Sequence, residues 1–248
     1  MNNVYLYNGS FNELISLIFY LLKNNIKPTN IKDVSYNPNL FEECIFFCLK
    51  SKEEDVNNIA LQFGYYAFRC IYYVYLSNNE SKELIIYYFI LNAIKYRKKI
   101  TYMRNLKCVY ETLRIAEYVS HETHKMKGFT RFKEINNNIL YAEIEPVNNI
   151  LELVSKHFEK RLKNEYWIIK DVQRKLFSVY DKKNFYIIPE ENFKLEDFTI
   201  SNEEKEIKEL WQLFYKTIGI KERKNDRCRM NFMPKRYWKY LIEMEDEL

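Results

Sequence analysis

Apolar positions recur with two different periods along this 248-residue chain. From Ser10 onward, Leu14, Leu17, Ile18, Leu21 and Leu22 fall on one face at α-helical spacing. Ser10 is placed to cap that helix, and Pro28 ends it. The same reasoning predicts helices near 40–49 after Pro38, from about Asp55 through the 60s and 70s, over 81–99, and over 106–122. Gly64 interrupts the third of these and weakens it.

The period changes at 128. The strings FTRFKEI, NNN and ILYAEIEP read as a β-hairpin, with alternation at Phe129, Arg131 and Lys133 and then at Leu140, Ala142 and Ile144. Its tip, Asn136-Asn137-Asn138, suits the left-handed backbone that a tight turn requires. Pro146 stops the second strand. Leu151, Val154, Phe158 and Leu162 then mark the apolar stripe of a helix. Segments 167–171, 176–180 and 185–188 read as three more strands, with Asp181-Lys182-Lys183-Asn184 turning between the last two. Ser201 and Glu204 form a capping-box pair for a helix that runs to Ile218 and is closed by Gly219. A basic loop, 220–231, follows, and Pro234 opens a short helix over 235–244. The expected fold class is therefore α+β: a helical N-terminal region, a small mostly antiparallel sheet with a crossover helix, and a helical C-terminal region. The expected division is 1–122 and 123–248, joined in one compact unit.

Composition narrows the chemistry. Four glycines, at 9, 64, 128 and 219, build neither G-x-G-x-x-G nor G-x-x-x-x-G-K-[ST], so the usual phosphate loops are excluded. No bound cofactor is called for. The bias toward Asn, Lys, Ile and Tyr reads as the codon pull of an AT-rich genome, which dilutes the meaning of any single lysine. The net charge of +5 is unevenly spread: residues 1–91 carry −2 and residues 92–248 carry +7. The surplus gathers in 92–114 and 216–239. Basic segments of this kind attract phosphate backbones by Coulomb forces and counterion release.

The cysteines, Cys44, Cys48, Cys70, Cys108 and Cys228, are odd in number and lack disulfide-framework spacing. The chain shows no signal-peptide pattern, and its most apolar run, 84–94, is too short to span a bilayer. A reduced, cytoplasmic protein without membrane contact is expected. A radical-SAM cluster loop needs C-x3-C-x2-C. Cys44 and Cys48 supply two thiolates, but Ser51 stands at the third position, so buried structural thiols on one helix face are expected. His121 and His124, with Glu117 one turn earlier, share a helix face without a further ligand cluster, so no metal site is assigned. His124, His157 and Asp171 are the candidate proton-transfer groups; His157 reads equally as a partly buried histidine beside Phe158, and an ion pair or turn-stabilising role with Arg174 is the default for Asp171.

Six compact strings stand out: YLYNGSFNELI, HKMKGFTRF, YAEIEPVNNIL, HFEKR, WIIKDVQR and LWQLFYKTIGIKERKN…NFMPKRYWKYLIE. In this combination the chain resembles a bacterial family of DNA metabolism or DNA repair proteins of otherwise unknown function. Members of that family accompany a DNA-repair radical-SAM protein, and related domains occur fused to a uracil-DNA-glycosylase-like domain. The resemblance covers nearly the whole chain in order, with Asn8 where the first string has Asp. It implies DNA-related work, on single-stranded or damaged DNA, and a radical-SAM repair partner. It does not imply a reaction.

Within these strings the candidate nucleic-acid contacts are Lys125, Lys127, Arg131, Arg161, Arg174, Arg223, Lys235, Arg236 and Tyr237. Cations beside aromatic rings suit a single strand, with charge holding phosphates and rings stacking on bases. One reading is a DNA-binding accessory to the radical-SAM enzyme. Another is a glycosylase- or nuclease-like enzyme. A third is a protein-interaction module without DNA contact.

Overall fold

The computed structural model describes residues 2–47, 53–135, 138–193 and 202–247. The chain divides into two compact units, Met1–Ser120 and His121–Leu248.

The first unit is built on a parallel sheet that hydrophobic periodicity does not reveal. Strands β1 (Asn2–Tyr7), β2 (Asn30–Asp33) and β3 (Glu42–Phe46) lie in the order β2-β1-β3, with Val4 in register with Asn30 on one side and Cys44 on the other. Val4, Tyr5, Leu6 and Tyr7 are all buried. A central parallel strand covered on both faces gives a continuous apolar run rather than alternation. Helix α1 (Phe11–Lys23) follows β1. Its cap is the expected one: Ser10 Oγ accepts from the Glu13 N–H at 3.3 Å, and Leu14, Leu17, Ile18 and Leu21 are fully buried.

The segment 40–49 is not a helix, because it contributes β3. Cys44 sits half-buried on that edge strand, and Cys48 lies outside the described residues, so the shared helix face does not exist. The long helix expected from Asp55 is two helices, α2 (Glu53–Phe63) and α3 (Tyr65–Leu76). They break at Gly64, whose φ of 90° and ψ of 154° lie in a region essentially reserved for glycine. Helix α4 (Lys82–Tyr96) and the start of α5 (Lys107–Phe129) complete the unit. No helix among the described residues is long and apolar enough to cross a membrane.

The second unit begins with residues 121–129 of α5. Its sheet contains β4 (Lys133–Ile135), β5 (Ile139–Ile144), β6 (Tyr166–Asp171), β7 (Leu176–Tyr180) and β8 (Phe185–Pro189), in that order. Every pairing is antiparallel except β5 with β6, which α6 (Leu151–Arg161) joins as the crossover. The expected hairpin is present, with a first strand shorter than its alternation suggests. Helix α5 continues through Gly128 and closes only where the Thr130 N–H and Oγ1 both donate to the Met126 carbonyl, so Phe129 and Arg131 precede the strand. Asn138 takes the left-handed conformation at the tip, with φ 86°.

Alternation in the sheet separates two faces. On one, Ala142, Ile144, Trp167, Ile169 and Tyr180 are buried on the side of α6, where Ser155 Oγ donates to Ser178 Oγ at 2.7 Å. Trp167 stacks on Tyr180 at 4.9 Å, the core role that a large ring most often takes. On the other, Ile135, Tyr141, Ile168 and Phe177 form a second cluster, joined by Ile139, Val179 and Phe193. The 181–184 turn is pinned by Asp181 Oδ1, which accepts from the N–H groups of Lys183 and Asn184.

After β8 come α7 (Asn202–Ile218) and α8 (Asp226–Phe232), then 3-10 turns at Lys235–Tyr240 and Ile242–Glu247. The capping residue Ser201 lies outside the described residues; Glu204 accepts from the Glu134 N–H of β4 at 3.2 Å. Part of the basic loop 220–231 is thus helical, with Asn225 capping α8 by accepting from the Cys228 N–H.

Gly64 gives a direct test. Nothing lies within 4 Å of the Cβ that alanine would add, so the effect is purely conformational. Gly64→Ala is expected to lower unfolding free energy by about 1–3 kcal/mol in urea titrations. An unchanged midpoint would remove the backbone constraint from the α2–α3 break.

Candidate functional site

Three of the conspicuous strings, together with Glu122 just before a fourth, meet at the loop that leaves β5. Glu122, near the end of α5, is buried, and its carboxylate accepts from the N–H groups of Val147 and Asn148, both at 2.9 Å. It also accepts from Asn148 Nδ2 at 2.6 Å and Tyr237 OH at 2.8 Å, and pairs with Arg236 Nη2 at 3.4 Å. From the opposite side Arg174 donates to the Pro146 and Val147 carbonyls. Arg174 is in turn held by Asp171, 3.1 Å away. One buried carboxylate thus takes the loop's N–H groups, and one guanidinium takes its carbonyls. Glu145, next to the loop, pairs with Lys239 and accepts from Tyr240 OH at 2.8 Å. Those contacts hold the Glu145 carboxyl below its usual range, while burial and Glu145 push the Tyr240 hydroxyl up to about 12.

These contacts redefine several candidates. Asp171 is fully buried; burial pushes its carboxyl up and Arg174 works against that shift. The ion pair with Arg174 is present, and Asp171 offers no open face to a substrate. Tyr237 is also buried, only 1% exposed, so it presents no surface for base stacking. Burial and Glu122 push its hydroxyl pKa up, which keeps it a donor. Trp238 is likewise core, packed with Leu241 and Met244. Arg236 keeps an exposed flank over the Tyr237 ring while bound to Glu122.

A second group lies on the α6 side of the sheet. Lys127 at the end of α5 and Arg161 at the end of α6 both act on His157, also on α6. His157 packs edge-on against Phe158, which meets Phe132 at 4.9 Å. Burial first, then the two cations, lower the His157 pKa. Three potentially cationic groups therefore share one patch, with Arg161 exposed and the other two half-buried.

Arg131 belongs elsewhere. It forks onto Glu243 at 3.3 and 2.5 Å and donates to the Gly128 carbonyl at 2.7 Å. Burial pushes the Glu243 carboxyl up, but the Arg131 guanidinium, the Glu243 backbone and the Trp211 indole together outweigh it and hold the carboxyl low. With Lys133, Tyr141, Glu143, Lys239 and Tyr240, Arg131 lines a small cleft of about 130 Å³. Lys133, Tyr141 and Glu143 carry the strand parity of the sheet face opposite α6, so the basic residues do not form a single cleft. Lys125 donates to the Asn231 carbonyl of α8 at 3.5 Å; His124, Arg223 and Lys235 are exposed, Lys235 lying over the Trp238 ring.

In the first unit, the basic segment 92–114 borders a larger groove of about 630 Å³ between α4 and α5. There Lys107 faces Glu111 at 3.9 Å and Asn92 donates to Cys108 Sγ at 3.5 Å.

The family model of a domain of unknown function, DUF4130, matches residues 80–243, more than half of the chain. The chain belongs to the DUF4130 family. No curated protein and no solved structure matches it. The DUF4130 range contains the clamped loop, the Lys127–His157–Arg161 patch, the Arg131 cleft and the α4–α5 groove. It leaves out the parallel sheet.

Glu122, Asn148, Glu145 and Glu243 carry most of this geometry, and none stands out in the sequence as a site residue. The available signal was proximity: Glu145 and Asn148 lie inside one conspicuous string, and Glu243 ends another.

Glu122→Ala leaves the N–H groups of Val147 and Asn148 and the buried Tyr237 hydroxyl without this acceptor. It is expected to destabilise the protein by about 3–5 kcal/mol, and Glu122→Gln by less. Urea unfolding measures both. A loss under about 1 kcal/mol for Glu122→Ala would show that the loop is held by something else.

Proposed function

We propose that this DUF4130 protein is a DNA-binding accessory that works beside a radical-SAM repair enzyme in a reducing, cytoplasmic setting. The observation that carries the reading is that Lys127 and Arg161, both solvent-accessible, act together on His157. Two cations beside a histidine form an anion site whose charge rises when the imidazole takes up a proton. The +7 balance of residues 92–248 adds a long-range attraction for phosphates. The sequence resemblance to DNA repair proteins motivates the choice of DNA and of the partner. The described cysteines, Cys44, Cys70, Cys108 and Cys228, are free thiols, which fits a reducing compartment. A binding role is favoured over a catalytic one because Asp171 is spent on Arg174 and buried.

The patch acts on phosphates rather than on base edges, so binding is expected to be sequence-tolerant and strongly salt-dependent. Fluorescence anisotropy with a labelled single strand tests this. Replacing both Lys127 and Arg161 by alanine is expected to weaken binding and to reduce the log–log salt slope by about 1–1.5, two single-strand phosphate contacts. Absence of binding at low salt, alone and with the radical-SAM enzyme, would overturn the proposal. Arg131→Ala serves as the contrast: it should lower stability through Glu243 while leaving the salt slope intact.

The pH dependence follows from His157. Its pKa in the free protein lies below the ordinary value because burial, Lys127 and Arg161 disfavour the imidazolium. A bound phosphate reverses the sign of the local field and raises that pKa, so binding takes up a proton. Affinity should therefore increase as pH falls from about 7.5 to 5.5, through the His157 range. His157→Ala should flatten the profile, and an identical profile in that variant would exclude His157 from the contact. In the folding equilibrium the sign is opposite to that of a paired histidine. The depressed folded pKa leaves stability undiminished above the unfolded value, and stability falls as pH drops below it.

A further inference from the structure

Helix α7 is oriented contrary to its own pattern. The residues it turns toward its unit are largely polar: Glu204 accepts from the Glu134 N–H and Gln212 Nε2 donates to the Ile242 carbonyl at 3.0 Å. Tyr215 is its apolar contribution to the Trp238–Leu241–Met244 cluster. The strongly apolar arc faces away. Ile207 is 59% exposed, Leu210 64%, Phe214 51% and Ile218 57%, and they follow one another by three and four residues along a single stripe. Leu213, 58% exposed, widens it. A stripe of this length, polar at its margins, is larger than scattered surface hydrophobes and marks a surface that another molecule covers.

Charge identifies the occupant. Residues 202–209 hold four glutamates against two lysines, whereas residues 210–224 hold Lys216, Lys221, Arg223 and Lys224 against Glu222. The helix is thus negative at its start and positive at and beyond its end. A second copy laid antiparallel on the stripe sets each acidic half against the basic half of its neighbour, and Ile207 against the Phe214–Ile218 end. A parallel copy would set like charges together. We propose that α7 is a homodimer interface, formed by two copies packed antiparallel along Ile207, Leu210, Phe214 and Ile218. The arrangement is isologous, so it closes at two copies. It is independent of DNA binding, since none of its apolar residues belongs to the phosphate patch.

Sedimentation of the full chain in reducing buffer, over a concentration series, tests the interface. The wild type is expected to be dimeric at about 100 µM. Leu210→Glu with Phe214→Glu, both at exposed positions, is expected to be monomeric with unchanged far-ultraviolet circular dichroism. If that variant misfolds, Glu206→Lys with Glu209→Lys keeps the apolar stripe. It should weaken the dimer at least about tenfold and be rescued by adding Lys216→Glu and Arg223→Glu. A monomeric wild type, or a dimer that survives Leu210→Glu with Phe214→Glu, would overturn the interface. A dimer indifferent to charge reversal would overturn the antiparallel pairing.

Discussion

A buried peptide segment must find partners for its N–H and carbonyl groups, and in the C-terminal unit the loop after β5 meets that demand with side chains. Glu122 supplies the acceptors and Arg174 the donors. Each is itself fixed: Glu122 by Tyr237 and Arg236, Arg174 by Asp171. The clamp therefore ties the end of α5, the crossover between β5 and α6, the end of β6 and the C-terminal turns to one point. Neither charge is left alone, which is the condition under which buried ions are tolerated.

This arrangement changes what the basic character of the chain means. The positive field of the region persists, because pairing does not abolish net charge. Local hydrogen-bonding capacity is another matter. Arg131 is committed to Glu243, Arg174 to Asp171 and backbone, Arg236 to Glu122, and Lys239 to Glu145. Cations engaged in this way hold the fold, and a ligand would have to compete with a carboxylate already in place to recruit them. The Lys127–His157–Arg161 group differs, because there the two cations disfavour a third charge on His157.

Elements with strong local signals were legible in the sequence. The Ser10 cap, the stripe of α6, the second strand of the hairpin after its Asn138 tip and the three strands that follow lie within a residue or so of where pattern places them. The parallel sheet was not, because β1 is apolar without alternation, β2 has four residues, and β3 is a half-exposed edge. The extent of α5 was hidden by Gly128 and by an alternation that happened to continue into β4. For the site, residue type pointed to the right strings, and Asp171–Arg174 was correctly read as a pair. Burial decided the rest. Tyr237 looks like a stacking ring and Glu122 like any surface acid until long-range contacts place both in the core.

The C-terminal turns have a consequence for biosynthesis. Residues 233–244 supply Arg236, Tyr237, Trp238, Leu241 and Glu243, and so complete both the clamp and a cluster that reaches back to Phe129. On the ribosome the five strands emerge well before this segment. During that interval Glu122 lacks Tyr237 and Arg131 lacks Glu243, so the nascent sheet exists with open charges at its border. Translation pauses or premature stops just short of position 237 would expose that incomplete state to proteases.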